Sequence, residues 1–254
     1  MSTEAGHHYS PETDLAALDR ATARLLRTAE SLTPDEVAEP SLLPGWSRGH
    51  VLSHLCRNAD ALLNGLTAAR TGADVPMYAS DDARDADIDA GAGRPAAEQC
   101  ADLRASADRL AAAARALEPA AWEYRILHRR GFRFSAADVP AMRLSEVEYH
   151  HVDLDAGYGP GHWAPGFVAA QLTRLAERFT EDGRFGPVLL RDADTGAEYR
   201  IGAPAPEGLT ASGPGPALLA WLSGRSNADG LVAHRGGERL PDARTALPDP
   251  PPLG

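Results

Sequence analysis

Glu146, His150 and Asp153 are spaced four and three residues apart. At about 100° of rotation per residue, this puts all three on one narrow face of a helix, with Met142 and Tyr149 at its edges. A carboxylate and an imidazole one turn apart can reach a single ion. His151 is turned well over a quarter-turn away, beside Val147 and Leu154, and reads as a partly buried histidine donating to a carbonyl. A second strip lies upstream, where His50 and His54 are also one turn apart and Asn58 continues the same side. Such a strip suits the lining of a cavity inside a bundle. It suits a solvated surface almost as well, and a histidine pair at this spacing is more often structural than ligating. Spacing alone does not choose between His50 and His54.

Imidazole and carboxylate suit zinc, and two histidines with one glutamate leave a fourth position for water or a reacting group, the pattern of a catalytic site. Composition closes off other chemistries. All 25 basic residues are arginine, which removes Schiff-base chemistry, a phosphate-loop lysine and a lysine base together. Cys56 and Cys100 stand far apart outside any paired motif, so neither a disulfide framework nor a four-thiolate zinc site is expected. A formal charge of −11 disfavours nucleic acid and anionic membranes, which attract basic faces. The expected partner is therefore a small molecule. The first residues lack a signal-peptide pattern and no apolar run approaches membrane-spanning length, so the expected location is cytoplasmic. The oligomeric state is open, a monomer being compatible with all of this.

Helices must hold these side chains. Pro11 begins a first helix after Ser10, with Leu15, Leu18, Leu25 and Leu26 leading to about Leu32. Ser47 caps a second from about Arg48 to Arg70, striped with Leu52, Leu55, Leu62, Leu63 and Leu66. The acidic stretch Asp81 to Asp89 and the glycines after it read as a long solvated loop. An alanine-rich third helix runs from about Ala96 to Leu117. After Gly131 and the alternating Phe132-Arg133-Phe134, Asp138 caps a fourth from about Val139 to Ala156. The composition shifts after Gly157-Tyr158-Gly159-Pro160-Gly161. A helix over Pro165 to Thr180, strands at Val188–Leu190 and Tyr199–Ile201 around an Asp194-Thr195-Gly196 turn, and a helix over Pro216 to Leu222 follow. The expected fold is α plus α/β: a four-helix domain over 1–158, a small mixed α/β domain over 159–240, and a Pro-rich, disordered tail over 241–254.

The stretches LPGWSRGHVLSHLCRNADALL, MRLSEVEYHHVDLDAGY and LLAWLSGR, in that order, resemble the mycothiol-dependent maleylpyruvate isomerases, whose helical half is a DinB-like four-helix bundle. The resemblance implies metal ligands at His54, Glu146 and His150, and so selects His54 over His50. It places the arginine of the WLSGR segment at Arg225. It further implies a cytoplasmic enzyme that uses a divalent metal, zinc by its ligand types, and the low-molecular-weight thiol mycothiol to turn maleylpyruvate into fumarylpyruvate. Arg225 has a planar fork suited to a carboxylate of the substrate or the thiol. On the residues alone, capping its helix end is the simpler role. Asp153 reads equally as an acceptor orienting His150 or as a surface residue. Trp46 and Trp221 read as core. Two other functions fit the same residues: transfer of the thiol to another electrophile, and a metal- or ligand-binding regulator.

Overall fold

The computed structural model describes residues 11–205 and 207–252. Ser10, after which the first helix is expected to begin, lies outside them. The chain forms two compact units, Met1–Gly157 and Tyr158–Gly254.

The first unit is built on four long helices: α1 (Pro11–Ser31), α3 (Arg48–Thr71), α5 (Ala96–Arg115) and α6 (Val139–Asp153), with the one-turn α2 (Pro34–Ala38) between the first two. α1 packs on α6 and α5, and α3 packs on α5 and α6, so the four close a bundle. Leu25, Leu52, Leu55, Leu62, Leu66, Leu103 and Val147 fill it. Burying side chains of this size contributes about 1.5–3 kcal/mol each. α6 is tied to α1 by polar contacts as well. Glu148 accepts from Arg24 at 2.7 Å, and His151 Nε2 shares a 2.8 Å hydrogen bond with the Thr28 hydroxyl. His151 thus meets a hydroxyl, on a face of α6 away from Glu146.

Ser47 caps α3 as its type predicts, and His50 completes the box: the Ser47 side chain accepts from His50 N, and His50 Nδ1 accepts from Ser47 N at 3.2 Å. Arg48 clamps the start of α3 to the end of α6, donating to Leu154 O at 2.6 Å and Asp155 O at 3.0 Å. The two helices that carry the candidate ligands are therefore fastened at that end.

Two local expectations are corrected. The acidic stretch is a helix, α4 (Asp81–Ala92), capped by Ser80 and packed on α3. Ile88 is its buried apolar anchor. The crossing is close: a Cβ added to Gly91 would stand 2.1 Å from Ser53 Oγ, and one on Gly49 would stand 2.6 Å from Ala92 O. With so few apolar side chains, the contact is made by backbone approach at glycine. The second correction concerns Asp138, whose carboxylate accepts from Ser135 N at 2.9 Å and makes no cap bond to α6. Ser135 caps the short 3-10 turn that precedes the helix. Ahead of it, β1 (Arg125–Leu127) and β2 (Arg133–Ser135) form an antiparallel hairpin whose Ile126 lies against Gly65 of α3.

The second unit holds α7 (Pro165–Asp182), β3 (Val188–Asp192), β4 (Glu198–Ile201), β5 (Leu209–Gly213), α8 (Gly215–Leu222), β6 (Val232–Arg235), β7 (Glu238–Arg239) and α9 (Ala243–Ala246). The sheet order is β4-β3-β5-β6-β7, with β3 and β5 parallel and the other pairs antiparallel. Helices α7 and α8 pack together, and Phe179, Phe185 and Trp221 form an aromatic core. The stretch expected as a disordered tail carries α9, with Ala243 and Leu247 buried. Its prolines prevent the helix from continuing, yet Leu247 still finds apolar cover. Among the described residues no helix is long and apolar enough to cross a membrane.

Candidate metal centre

α3 brings His54, and α6 brings Glu146 and His150, to one point. Among the described residues this is the group of His, Cys, Asp and Glu side chains whose potential ligand atoms all lie within 4.8 Å of one another. His54 Nε2 stands 3.0 Å from Glu146 Oε2, and His150 Nε2 stands 3.3 Å from the same oxygen. The two imidazole rings meet edge to face with centroids 4.6 Å apart. Two ligands about 2.0–2.1 Å from a tetrahedral zinc stand roughly 3.3 Å apart, so the observed separations fit a shared ion. The donor set of two imidazoles and a carboxylate suits zinc and leaves one position open.

The carboxylate of Asp153, only 2% exposed, lies 2.9 Å from His150 Nδ1. A carboxylate at that nitrogen holds a proton on Nδ1 and aims Nε2 at the cluster. His54 has a different neighbour. Arg84 of α4 brings Nη2 to 3.3 Å from His54 Nδ1. Trp46 tilts across His54 at 5.5 Å and stacks on His50 at 6.2 Å, so it shields the imidazoles rather than filling the core. One turn before Glu146, the buried Arg143 donates from Nη1 to Asn58 Oδ1 at 2.7 Å.

These surroundings set the charges. Burial lowers the pKa of His54 to about 4, outweighing its hydrogen bond to Glu146, so the ring is neutral. For His150 burial also acts downwards, but the hydrogen bonds to Asp153 and Glu146 together reverse it and raise the pKa. For Glu146 burial acts upwards, and the hydrogen bonds from His150 and His54 override it to hold the carboxyl well below its ordinary value. Glu146 is hemmed in by protein, yet its side chain keeps 34% of its surface open to solvent, as a group lining a cleft does. An ionised carboxylate with two imidazoles around it is prepared for a cation.

His50, the alternative that spacing left open, is used at the helix cap and stands outside the cluster, 3.7 Å from the exposed Asp89. Arg225 belongs to the second unit. There its backbone N–H donates to Ala220 O and its Nη1 donates to Ser223 O, both at 2.7 Å, closing the end of α8. Sequence reasoning missed Arg84 and Tyr78. Arg84 is hidden because its acidic segment, with little apolar surface, reads as loop. The Ser80 cap and the Arg84–Ile88–Gly91 spacing were the available signals. Asn64 Nδ2 donates to Met77 O at 3.2 Å and fixes the segment that presents Tyr78.

The family model described as "Mycothiol maleylpyruvate isomerase N-terminal domain" matches residues 18–155, more than half of the chain. This protein belongs to that family. The matched region contains the whole cluster. Among solved structures, one described as the mycothiol-dependent maleylpyruvate isomerase is 27% identical, covers 96% of this chain and 97% of its own, and superposes with a TM-score of 0.85. A histidine-to-alanine mutant of that enzyme gives the same values. Curated proteins gave no sequence match. Membership of the isomerase family accords with the resemblance carried by the three sequence stretches, and the helical unit followed by a small sheet unit is the fold expected from it.

Proposed function

We propose that this protein is a mycothiol-dependent maleylpyruvate isomerase, converting the cis double bond of maleylpyruvate to the trans bond of fumarylpyruvate in the cytoplasm. The observation that carries the reading is the convergence of His54, Glu146 and His150 on one point with their ligand atoms facing each other, in a chain of this isomerase family.

His54 and His150 would hold a divalent ion through Nε2, and Glu146 through Oε2. Such an ion, zinc by the preference of these ligands, would favour thiolate over thiol in mycothiol, giving a nucleophile able to add to and leave an activated alkene. Asp153 holds the His150 proton at Nδ1 and keeps the ring in register. Trp46 lies against one side of the His54 ring. Arg225 is assigned to a carboxylate of the substrate or of the thiol, which its planar fork fits. The protein's own thiols do not compete. Burial pushes Cys56 up to about 11, and its neighbours are Asp102 and Ser106 of α5 rather than the cluster.

The test is turnover of maleylpyruvate by zinc-loaded protein with and without mycothiol. Thiol-dependent release of the trans isomer is expected. No turnover at saturating thiol and zinc counts against the reading, and a persistent thiol conjugate would reassign the site to group transfer.

A further inference from the structure

Arg84 of α4 reaches the ligand cluster from outside α3 and α6, and its contact with His54 carries a contradiction. Its side chain is 15% exposed. Nη2 lies 3.3 Å from His54 Nδ1, and the guanidinium carbon lies 5.9 Å from the centre of the Tyr78 ring. Guanidinium is a donor only. At this contact His54 Nδ1 must therefore accept, which leaves the single proton of the neutral ring on Nε2, where it points at Glu146 Oε2 3.0 Å away.

Metal ligation through Nε2 needs the opposite tautomer, with the proton on Nδ1. Two donors would then face each other at 3.3 Å. The number of protons on the ring is unchanged, but the attraction between His54 and Arg84 becomes a repulsion. At Nδ1 His150 meets no such conflict, because Asp153 already accepts there. Once a cation is bound, Arg84 is left a largely buried guanidinium at the edge of the centre, with the mostly exposed Asp85 as its remaining carboxylate partner. An anion arriving at the site would meet a planar fork with the Nη2 donors turned towards the cluster, while Nη1 is engaged by Asp85.

We propose that Arg84 grips a carboxylate of the acidic substrate, and that metal loading frees it to do so by reversing the His54 tautomer. This rests on the isomerase reading for the substrate's identity, since maleylpyruvate carries two carboxylates, but it does not rest on that reading for the anion site.

The experiment compares the full chain with Arg84→Gln in three measurements. Zinc affinity, from competition with a chromophoric chelator, stays equal or tightens in the variant; weaker zinc binding would mean Arg84 supports the metal and would overturn the proposal. Succinate binding by calorimetry is stronger to zinc-loaded than to apo protein, and falls about tenfold or more in Arg84→Gln, as loss of a charged hydrogen bond implies; equal succinate binding by the two proteins overturns it. In turnover, KM for maleylpyruvate rises about tenfold or more while KM for the thiol holds. If zinc-loaded wild type fails to turn over maleylpyruvate, the isomerase reading falls, and the zinc and succinate measurements still judge Arg84. Should Arg84→Gln melt early, Arg84→Lys, which keeps the charge without the fork, gives the same comparison with a smaller loss. Ring 15N shifts give a direct readout: His54 Nδ1 bare in apo protein and protonated with zinc, the reverse being fatal.

Discussion

Asp153 Oδ2 lies 2.9 Å from His150 Nδ1, three residues earlier on the same helix, with the carboxylate almost completely buried. A buried carboxylate has few partners to choose from, so this one fixes which nitrogen of His150 carries the proton. Asp153→Ala removes the acceptor and should weaken metal binding about 10–100-fold, the usual effect of losing such a partner. Competition with a chelator measures it. An unchanged affinity would show that His150 orients itself without help.

His50 and His54 should separate cleanly. In His50→Ala the acceptor for Ser47 N is lost, and stability should fall by about 0.5–2 kcal/mol, the cost of a helix cap. Metal content should stay at the wild-type level. In His54→Ala the metal should be lost, as it should in Glu146→Ala. Elemental analysis beside denaturant melts distinguishes the two behaviours, and full metal content in His54→Ala would remove the cluster from consideration.

The raised pKa of Cys56 has two consequences. Burial holds the thiol protonated to about pH 11, against an ordinary value of 9.0, so iodoacetamide should leave it unmodified at pH 8 in folded protein and modify it in urea. The unfolded chain releases this proton from about pH 9 while the folded chain keeps it, so the unfolded state binds fewer protons across that interval. Cys56 should therefore contribute a loss of stability as pH rises from 9 towards 11. The fall should be shallower in Cys56→Ala, as urea titrations at several pH values will reveal.

The crossing of α3 and α4 sets the place of Arg84. A Cβ at Gly91 would stand 2.1 Å from Ser53 Oγ, so Gly91→Ala should push α4 away from α3 and destabilise the fold by about 1–3 kcal/mol, the range for overpacking. Ser53→Ala in the same chain removes the closest atom and should restore part of the loss. Additive effects in this double-mutant cycle would mean that the two residues do not meet.

Much of the centre was decided locally. Helical periodicity put Glu146, His150 and Asp153 on one face and turned His151 to another, because rotation per residue is a property of the backbone and needs no partner. Caps and turns such as Ser47 and Asp194-Thr195-Gly196 were equally legible, since a side chain there bonds to its own neighbouring backbone. The choice between His50 and His54 was not legible in the same way. Both lie on one side of α3, and what distinguishes them is contact with another helix: His54 meets Glu146, whereas His50 is engaged by Ser47. The resemblance named His54, and tertiary packing brings that histidine against Glu146. Arg84 was hidden for a related cause. Its helix carries little apolar surface beyond Ile88 and is held by close backbone approach at Gly49 and Gly91, which leaves almost no hydrophobic pattern to read. The sequence by itself determined which groups could bind a cation and how each helix presents them. Tertiary structure decided which of them meet, because ligation depends on distances between segments 92 residues apart, which no local rule constrains.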